Sequence, residues 1–418
     1  LKPNWKQLLE KNGTVLLYAA TIAGVGFSFL GSVLNSRMLS KELFGDLKYV
    51  QNYLMMVSYF VNFGFYYSGG RLIAATDNKE RTSIFKGYML MCCTAGLVIM
   101  LLSTIGLGIF WPKLISPALF KLMLILFPLF IVHPLMFYFE SIFQAERRMI
   151  EYSVYRVLPP LLYLIALYLF SSVANGSLFY AAMLYYVTYF IVFAWFIIRD
   201  KQVFKKKSPE LTELVHENKT FGVHLYYGSL WNVGASYLLP LLIGLFNINN
   251  EEVGPFSLAS SFIIPFSLLP AIVGTAYFRQ FITLEKIPGE AFKKVLLASF
   301  GLIAATWLCI DFVIDFFLGE KYAAVGFLVK FGAFAALLQG LGDFVNKFLS
   351  AKGKSPYIKK VAIVTGTVQL VASLFLIKWM SSTGAMLAKT IGSALYFGCL
   401  YFYYHKHYNT QKPIIKTA

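Results

Sequence analysis

The chain has 418 residues, of which 58% are hydrophobic and only 14% charged, with a mean hydropathy of +0.64. A water-soluble domain carries roughly 25% charged residues, so composition alone excludes one. The net charge of +17 would suit nucleic acid, but its placement along the chain argues for a different cause.

Twelve apolar stretches of bilayer length follow one another, at 14–34, 47–68, 84–110, 122–142, 152–172, 177–198, 221–246, 254–277, 294–317, 327–349, 361–380 and 383–404. About 20 helical residues cross the ~30 Å hydrocarbon core, where the backbone must satisfy its own hydrogen bonds. The expected fold is therefore an all-α polytopic membrane protein with twelve transmembrane helices. Lys2 to Lys11 is polar and basic and leads into a full-length span, so no cleavable leader is expected.

Most lysines and arginines fall in the termini and in alternate loops, as at Arg71 to Lys86, Arg147 to Arg156 and Lys352 to Lys360, whereas 172–176 and 247–253 have none. This is the positive-inside pattern, and it puts both termini in the cytoplasm. The charge is an orientation signal, and no nucleic-acid partner is expected.

The longest polar interruption, 199–220, contains Lys205, Lys206 and Lys207. It divides the chain into an N-lobe (1–198, six spans), a cytoplasmic linker (199–220) and a C-lobe (221–418, six spans). At an offset of 209, Gly13 matches Gly222, Leu16 matches Leu225, Tyr18 matches Tyr227 and Gly45 matches Gly254. Six spans per half make this a parallel pseudo-two-fold repeat, an architecture of transporters whose substrate path lies between the lobes.

Enzymatic chemistry has little to work with. The loops are short, and the five histidines do not pair at metal-ligand spacing. Cys92, Cys93, Cys309 and Cys399 are scattered inside spans, which suggests neither a disulfide framework nor a metal site. The expectation is a non-enzyme without cofactor or metal.

Polar stripes run along four spans. Tyr18, Ser28 and Asn35 share one face of the first, and Asn62 continues a stripe on the second. His224 and Asn232 mark the seventh, with serines on the eighth. Such stripes serve either close helix packing or a wet cavity. Deep charges are costlier and more informative. Lys389 and Asp311 each lie about six residues, roughly 9 Å, inside a span, and either they form an ion pair or Lys389 holds an anion. Arg37, Lys48, Arg71 and Arg279 stand at span ends around the expected path, with Lys389 as its deepest base. Lys121 and Lys330, 209 apart, are expected to snorkel outward. Asp311 and Asp315, one turn apart, are the candidates for a coupling proton or sodium ion. Guanidinium and ammonium groups suit phosphate or pyrophosphate.

The segment Ser36-Arg37-Met38-Leu39-Ser40-Lys41-Glu42-Leu43-Phe44-Gly45-Asp46 resembles the Arg-x-Leu-(x)4-Phe-Gly junction of Wzx-type O-antigen/polysaccharide flippases of the multidrug/oligosaccharidyl-lipid/polysaccharide (MOP) exporter superfamily. Phe63-Gly64-Phe65 and Leu349-Ser350-Ala351-Lys352-Gly353-Lys354 are similar to later stretches of the same family. The resemblance implies a bilobal twelve-helix fold with a cationic cavity lined by spans 1, 2, 7 and 8. It also implies movement of an undecaprenyl-pyrophosphate-linked oligosaccharide from the cytoplasmic to the periplasmic leaflet of the bacterial inner membrane by alternating access. Membrane lipids, a glycan polymerase and a chain-length regulator are the partners it implies. Alternatives are an ion-coupled MATE-like multidrug antiporter, which would want deep acids, and a membrane-embedded glycan polymerase, which would want a long outward loop. A lipid II flippase is expected to run to about fourteen spans, beyond Ala418.

Overall fold

The computed structural model describes residues 13–409, apart from the side chains of 13–15, 228, 229, 232, 233, 279, 355 and 409. The described chain is helical and contains no strand. Nine helical segments among the described residues are long and apolar enough to cross a bilayer. The chain divides into two compact units, Leu1–Leu230 and Trp231–Ala418.

In the first unit, α1 (Gly13–Met38) lies parallel to α7 (Met149–Leu169). Gly24 sits on the Arg156 carbonyl, and Gly31 lies against the Tyr163 ring. Small residues at this spacing let two membrane helices approach closely, which is how they associate without a hydrophobic drive between them. Helix α2 (Lys41–Phe60) begins on the Ser40 hydroxyl, which accepts from the Leu43 amide, as an N-cap serine does. Its first two turns carry Lys41, Glu42, Asp46 and Lys48, and it is not among the nine apolar spans.

The expected span 47–68 is therefore broken. Helix α2 stops at Phe60, Phe63 and Gly64 take positive φ (47° and 86°), and α3 (Phe65–Ala74) restarts the helix. A Cβ on Gly64 would stand 2.5 Å from the Gly222 backbone, so both the left-handed backbone and the close approach require glycine. Three hydrogen bonds hold the break. Asn218 donates to the Phe63 carbonyl (3.1 Å) and accepts from Ser68 (3.1 Å), and Tyr226 donates to the Phe60 carbonyl (2.6 Å).

Helix α4 (Lys79–Phe110) is capped by Asn78. The next span is α5 (Pro117–Leu126), a 3₁₀ turn through Pro128, and α6 (Val132–Ala145). Helix α8 (Leu178–Arg199) completes a core of Tyr138, Phe139, Phe143, Tyr155, Phe193 and Phe196. Its rings meet at centroid distances of 5.0 Å (Tyr138–Phe139), 5.1 Å (Phe143–Phe196) and 5.6 Å (Tyr155–Phe193). Segment 199–220 packs on this unit: Val203 donates its amide to the Ser83 carbonyl (2.9 Å), and α9 (Pro209–Glu217) carries acids against Arg71 and Arg81.

Helix α10 (Val223–Phe246) follows, and the boundary between the units falls inside it. In the second unit, α11 (Val253–Phe262) and α12 (Ile264–Ala276) form one span interrupted before Pro265, where the missing donor and the proline ring disfavour continuous helix. A short helix α13 (Phe278–Thr283) leads to α14 (Gly289–Phe317) and α15 (Ala324–Ala351).

Helix α16 (Ser355–Tyr404) would be about 75 Å long if straight, far more than one crossing. Ser381 leaves helical geometry (φ 50°, ψ −126°), and the two halves run antiparallel. Gly384 lies on Leu376, Gly392 on Gln369, and the Tyr357 ring is 4.8 Å from Tyr403. Each arm of this hairpin, 355–380 and 382–404, is long enough to cross a bilayer.

Candidate functional site

Lys48 is the most informative base of the first unit. It lies seven residues, roughly 10 Å, into α2 and is half-buried. Its ammonium donates to Ser32 Oγ (2.9 Å) and Gln51 Oε1 (3.3 Å) and stands 5.6 Å from the centre of the Phe44 ring. One turn beyond Ser32, Asn35 donates to Tyr163 Oη (2.8 Å) and the Gly31 carbonyl (2.7 Å), and its buried Oδ1 has no partner among the described residues. No carboxylate lies within ion-pair distance of Lys48 among the described residues.

Lys389 is its counterpart in the second unit. It is half-buried on the second arm of the α16 hairpin, eight residues or roughly 12 Å from Ser381. It has neither an ion pair nor a hydrogen bond among the described residues. The expected alternative, an Asp311–Lys389 pair, does not form. Asp311 is 65% exposed and bonds Lys330 Nζ at 2.5 Å, because α15 rather than α16 presents a base beside it. Asp315 is also exposed. Depth along the sequence did not bury either acid, and Lys330 turns to Asp311 instead of snorkelling away.

The remaining candidates scatter. Arg37 is exposed in the last turn of α1. Arg71, 56% exposed, is tied to Glu217 at 2.8 Å and lies 4.4 Å over the Phe221 ring. It clips α9 to α3. Tyr18 is half-buried, Ser28 and His224 are exposed, and Asn62 is buried at the helix break with Oδ1 unpartnered. The side chains of Arg279 and Asn232 lie outside the described residues.

Three polar groups escaped the sequence reading. Asp343, on α15, accepts from Tyr396 Oη (3.0 Å) and Gln339 Nε2 (3.5 Å), and Asn346 donates to the same Tyr396 oxygen (2.8 Å). Its donors are neutral, and no ion pair reaches it among the described residues. Glu140 and Arg156 pair at 2.6 Å between α6 and α7. Lys86 meets Glu146 (2.7 Å) and Asp200 (3.2 Å), and Arg148 bonds Asp200 (2.7 Å), Glu146 and Glu151. The signal available was a single acid inside an apolar run, at 140 and at 343.

Electrostatics outside the spans follow the same packing. The Ser208 hydroxyl, with the residue's own amide, Lys205 and Arg81, holds the Glu210 carboxyl below its usual range. Burial opposes the charge on Arg148, but Asp200 and Glu146 outweigh it and raise the guanidinium above its ordinary value.

The geometry can be set beside known proteins. No curated protein sequence matches the chain. Its fold is similar to that of the lipid II flippase MurJ in an inward closed conformation (TM-score 0.74, 13% identity, 93% of this chain and 87% of that one). It is also similar to an inward-facing multidrug resistance MATE family transporter of the MOP superfamily (0.69, 14%, 95% and 99%). A mutant of the Vibrio cholerae MATE transporter VcmN is a third match (0.64, 13%, 97% and 98%). At such identities the likeness establishes the fold alone. Residues 10–278 match the family described as polysaccharide biosynthesis protein, which is more than half of the sequence, and the chain belongs to that family, within the MOP superfamily.

Proposed function

We propose that this protein carries an undecaprenyl-pyrophosphate-linked oligosaccharide from the cytoplasmic to the periplasmic leaflet by alternating access. It does so as a twelve-span protein of two six-helix repeats in the bacterial inner membrane, with both termini cytoplasmic. The observation that carries the reading is the state of Lys48 and Lys389. An ionisable group inside a span costs at least a few kcal/mol; Arg156 and Lys330 offset that cost with one carboxylate each and Lys86 with two. Lys48 and Lys389 have none among the described residues. A pyrophosphate supplies the missing counter-charge during passage, and ammonium groups suit it.

A multidrug antiporter would need the opposite arrangement, with unpaired acids to hold a cationic drug. Here Asp311 and Glu140 are already paired with bases. Asp315 is exposed, and Asp343 sits among neutral donors. We place the coupling proton there, bound as the carboxylic acid and released as the carboxylate, in place of Asp311 and Asp315.

Replacing Lys389 with Gln in cells that depend on this protein tests the reading. Surface polysaccharide is expected to fall about tenfold or more at unchanged membrane abundance, as the loss of a charged contact implies. Full assembly with Lys389→Gln would remove the lysine from the substrate path.

A further inference from the structure

Glu140 and Gln144 lie one turn apart on α6, and Tyr152 and Arg156 lie one turn apart on the facing helix α7. Their bonds converge on two atoms. Glu140 Oε1 accepts from Arg156 Nη2 (2.6 Å), Tyr152 Oη (2.8 Å) and Gln144 Nε2 (3.5 Å). Tyr152 Oη accepts from Gln144 Nε2 (3.0 Å) and Arg156 Nη2 (2.7 Å). That convergence leaves Glu140 Oε2, Gln144 Oε1 and Arg156 Nη1 without a hydrogen-bond partner among the described residues, and the buried Arg156 Nε has none there either.

Glu140 lies roughly 8 Å from the end of α6 and Arg156 roughly 10 Å from the start of α7, with Gln144 and Tyr152 in the terminal turns of the two helices. Its charged side chains remain 38% and 35% exposed. Charges that open at such depth face water or a polar ligand, because hydrocarbon solvates them poorly. Glu140 cancels the charge of Arg156, so the surface does not complement a phosphate. It offers acceptors and a guanidinium N–H that have no hydrogen-bond partner among the described residues, with the guanidinium lying 5.1 Å over the Tyr152 ring. A sugar hydroxyl both donates and accepts, and neighbouring hydroxyls of a pyranose match this alternation.

We infer that Glu140, Gln144, Tyr152 and Arg156 form a saccharide-contacting site of the first unit, separate in chemistry from Lys48. The inference rests on the lipid-linked oligosaccharide reading above, and it assigns the glycan rather than the pyrophosphate to this surface.

The test uses the purified full chain in lipid nanodiscs with two probes. One is undecaprenyl pyrophosphate. The other is the neutral oligosaccharide released by mild acid from the cell's own polyprenyl-pyrophosphate pool. Tyr152→Phe, and the charge-neutral double variant Glu140→Gln with Arg156→Gln, are expected to weaken oligosaccharide binding about tenfold while undecaprenyl pyrophosphate changes by less than about twofold. Lys48→Gln is expected to do the reverse. Tyr152→Phe removes a single hydroxyl, so its result stands if the double variant misfolds. The site is overturned if both variants bind the oligosaccharide as wild type does, if both probes weaken together, or if the oligosaccharide fails to bind the wild type. Oligosaccharide binding without undecaprenyl pyrophosphate binding would instead overturn the lipid part of the proposed function and leave this site intact.

Discussion

Lys48 and Asp311 show how little a residue's type says about its use. Both are charges near the outer part of a span in the proposed orientation, yet Lys48 meets only neutral oxygens and Asp311 is exposed and paired. Exposed ion pairs contribute about 0–1 kcal/mol, so Asp311→Asn is expected to leave transport within about twofold of wild type. Asp343→Asn removes the titrating group that accepts from Tyr396. It is expected to abolish the response to an imposed proton gradient in proteoliposomes while leaving thermal unfolding close to wild type. A gradient response that persists in Asp343→Asn would return the coupling group to another acid. That Lys389 lies inside an apolar run was legible in the sequence; that it has no ion pair among the described residues was not. The partner of Asp311 was not legible, since only packing decides whether α15 or α16 brings a base beside α14. Asp343 is a single acid after Gly340-Leu341-Gly342, and only the packing of α15 against α16 brings Tyr396 to it.

At the scale of elements, the break between α2 and α3 is the feature that hydropathy hid. Apolar residues fill both sides of Phe63-Gly64, so composition reads one continuous span over 47–68. The Ser40 cap and the positive φ of Gly64 instead set a start at Lys41 and a stop at Phe60. The same dipeptide belonged to the family resemblance, and the structure supplies its physical reason in the contact with Gly222. Gly64→Ala places a Cβ both in left-handed backbone, at a cost of about 1–2 kcal/mol, and against that contact. It is expected to lower the unfolding temperature of the detergent-purified protein by several degrees, whereas Gly176→Ala, also at positive φ but with open space around it, is expected to lower it less. Equal losses would mean that the Gly222 contact carries no weight. The α16 hairpin tells the complementary story. Two spans were expected across 361–380 and 383–404, and Ser381 turns the chain between them.

For the whole molecule, composition was enough to read a helical multi-pass membrane protein, because lipid forces long apolar runs, whereas the superfamily was legible only through the resemblance carried by Ser36 to Asp46 and the two shorter stretches. Segment 199–220 was read as a linker from its polarity, but its acids dock on Arg71 and Arg81, a match visible only once α3, α4 and α9 are folded. Lys48 and Lys389 have no carboxylate partner among the described residues, and the proposed function has them meet the anionic headgroup of the lipid. The most direct measurement is transfer of undecaprenyl-pyrophosphate-linked oligosaccharide across proteoliposomes containing the wild type or Lys48→Gln with Lys389→Gln. The wild type is expected to move the lipid and the double variant to be slower by about tenfold or more, as the loss of two charged contacts implies. Equal rates for the two proteins, or a wild type no faster than protein-free liposomes, would contradict the account.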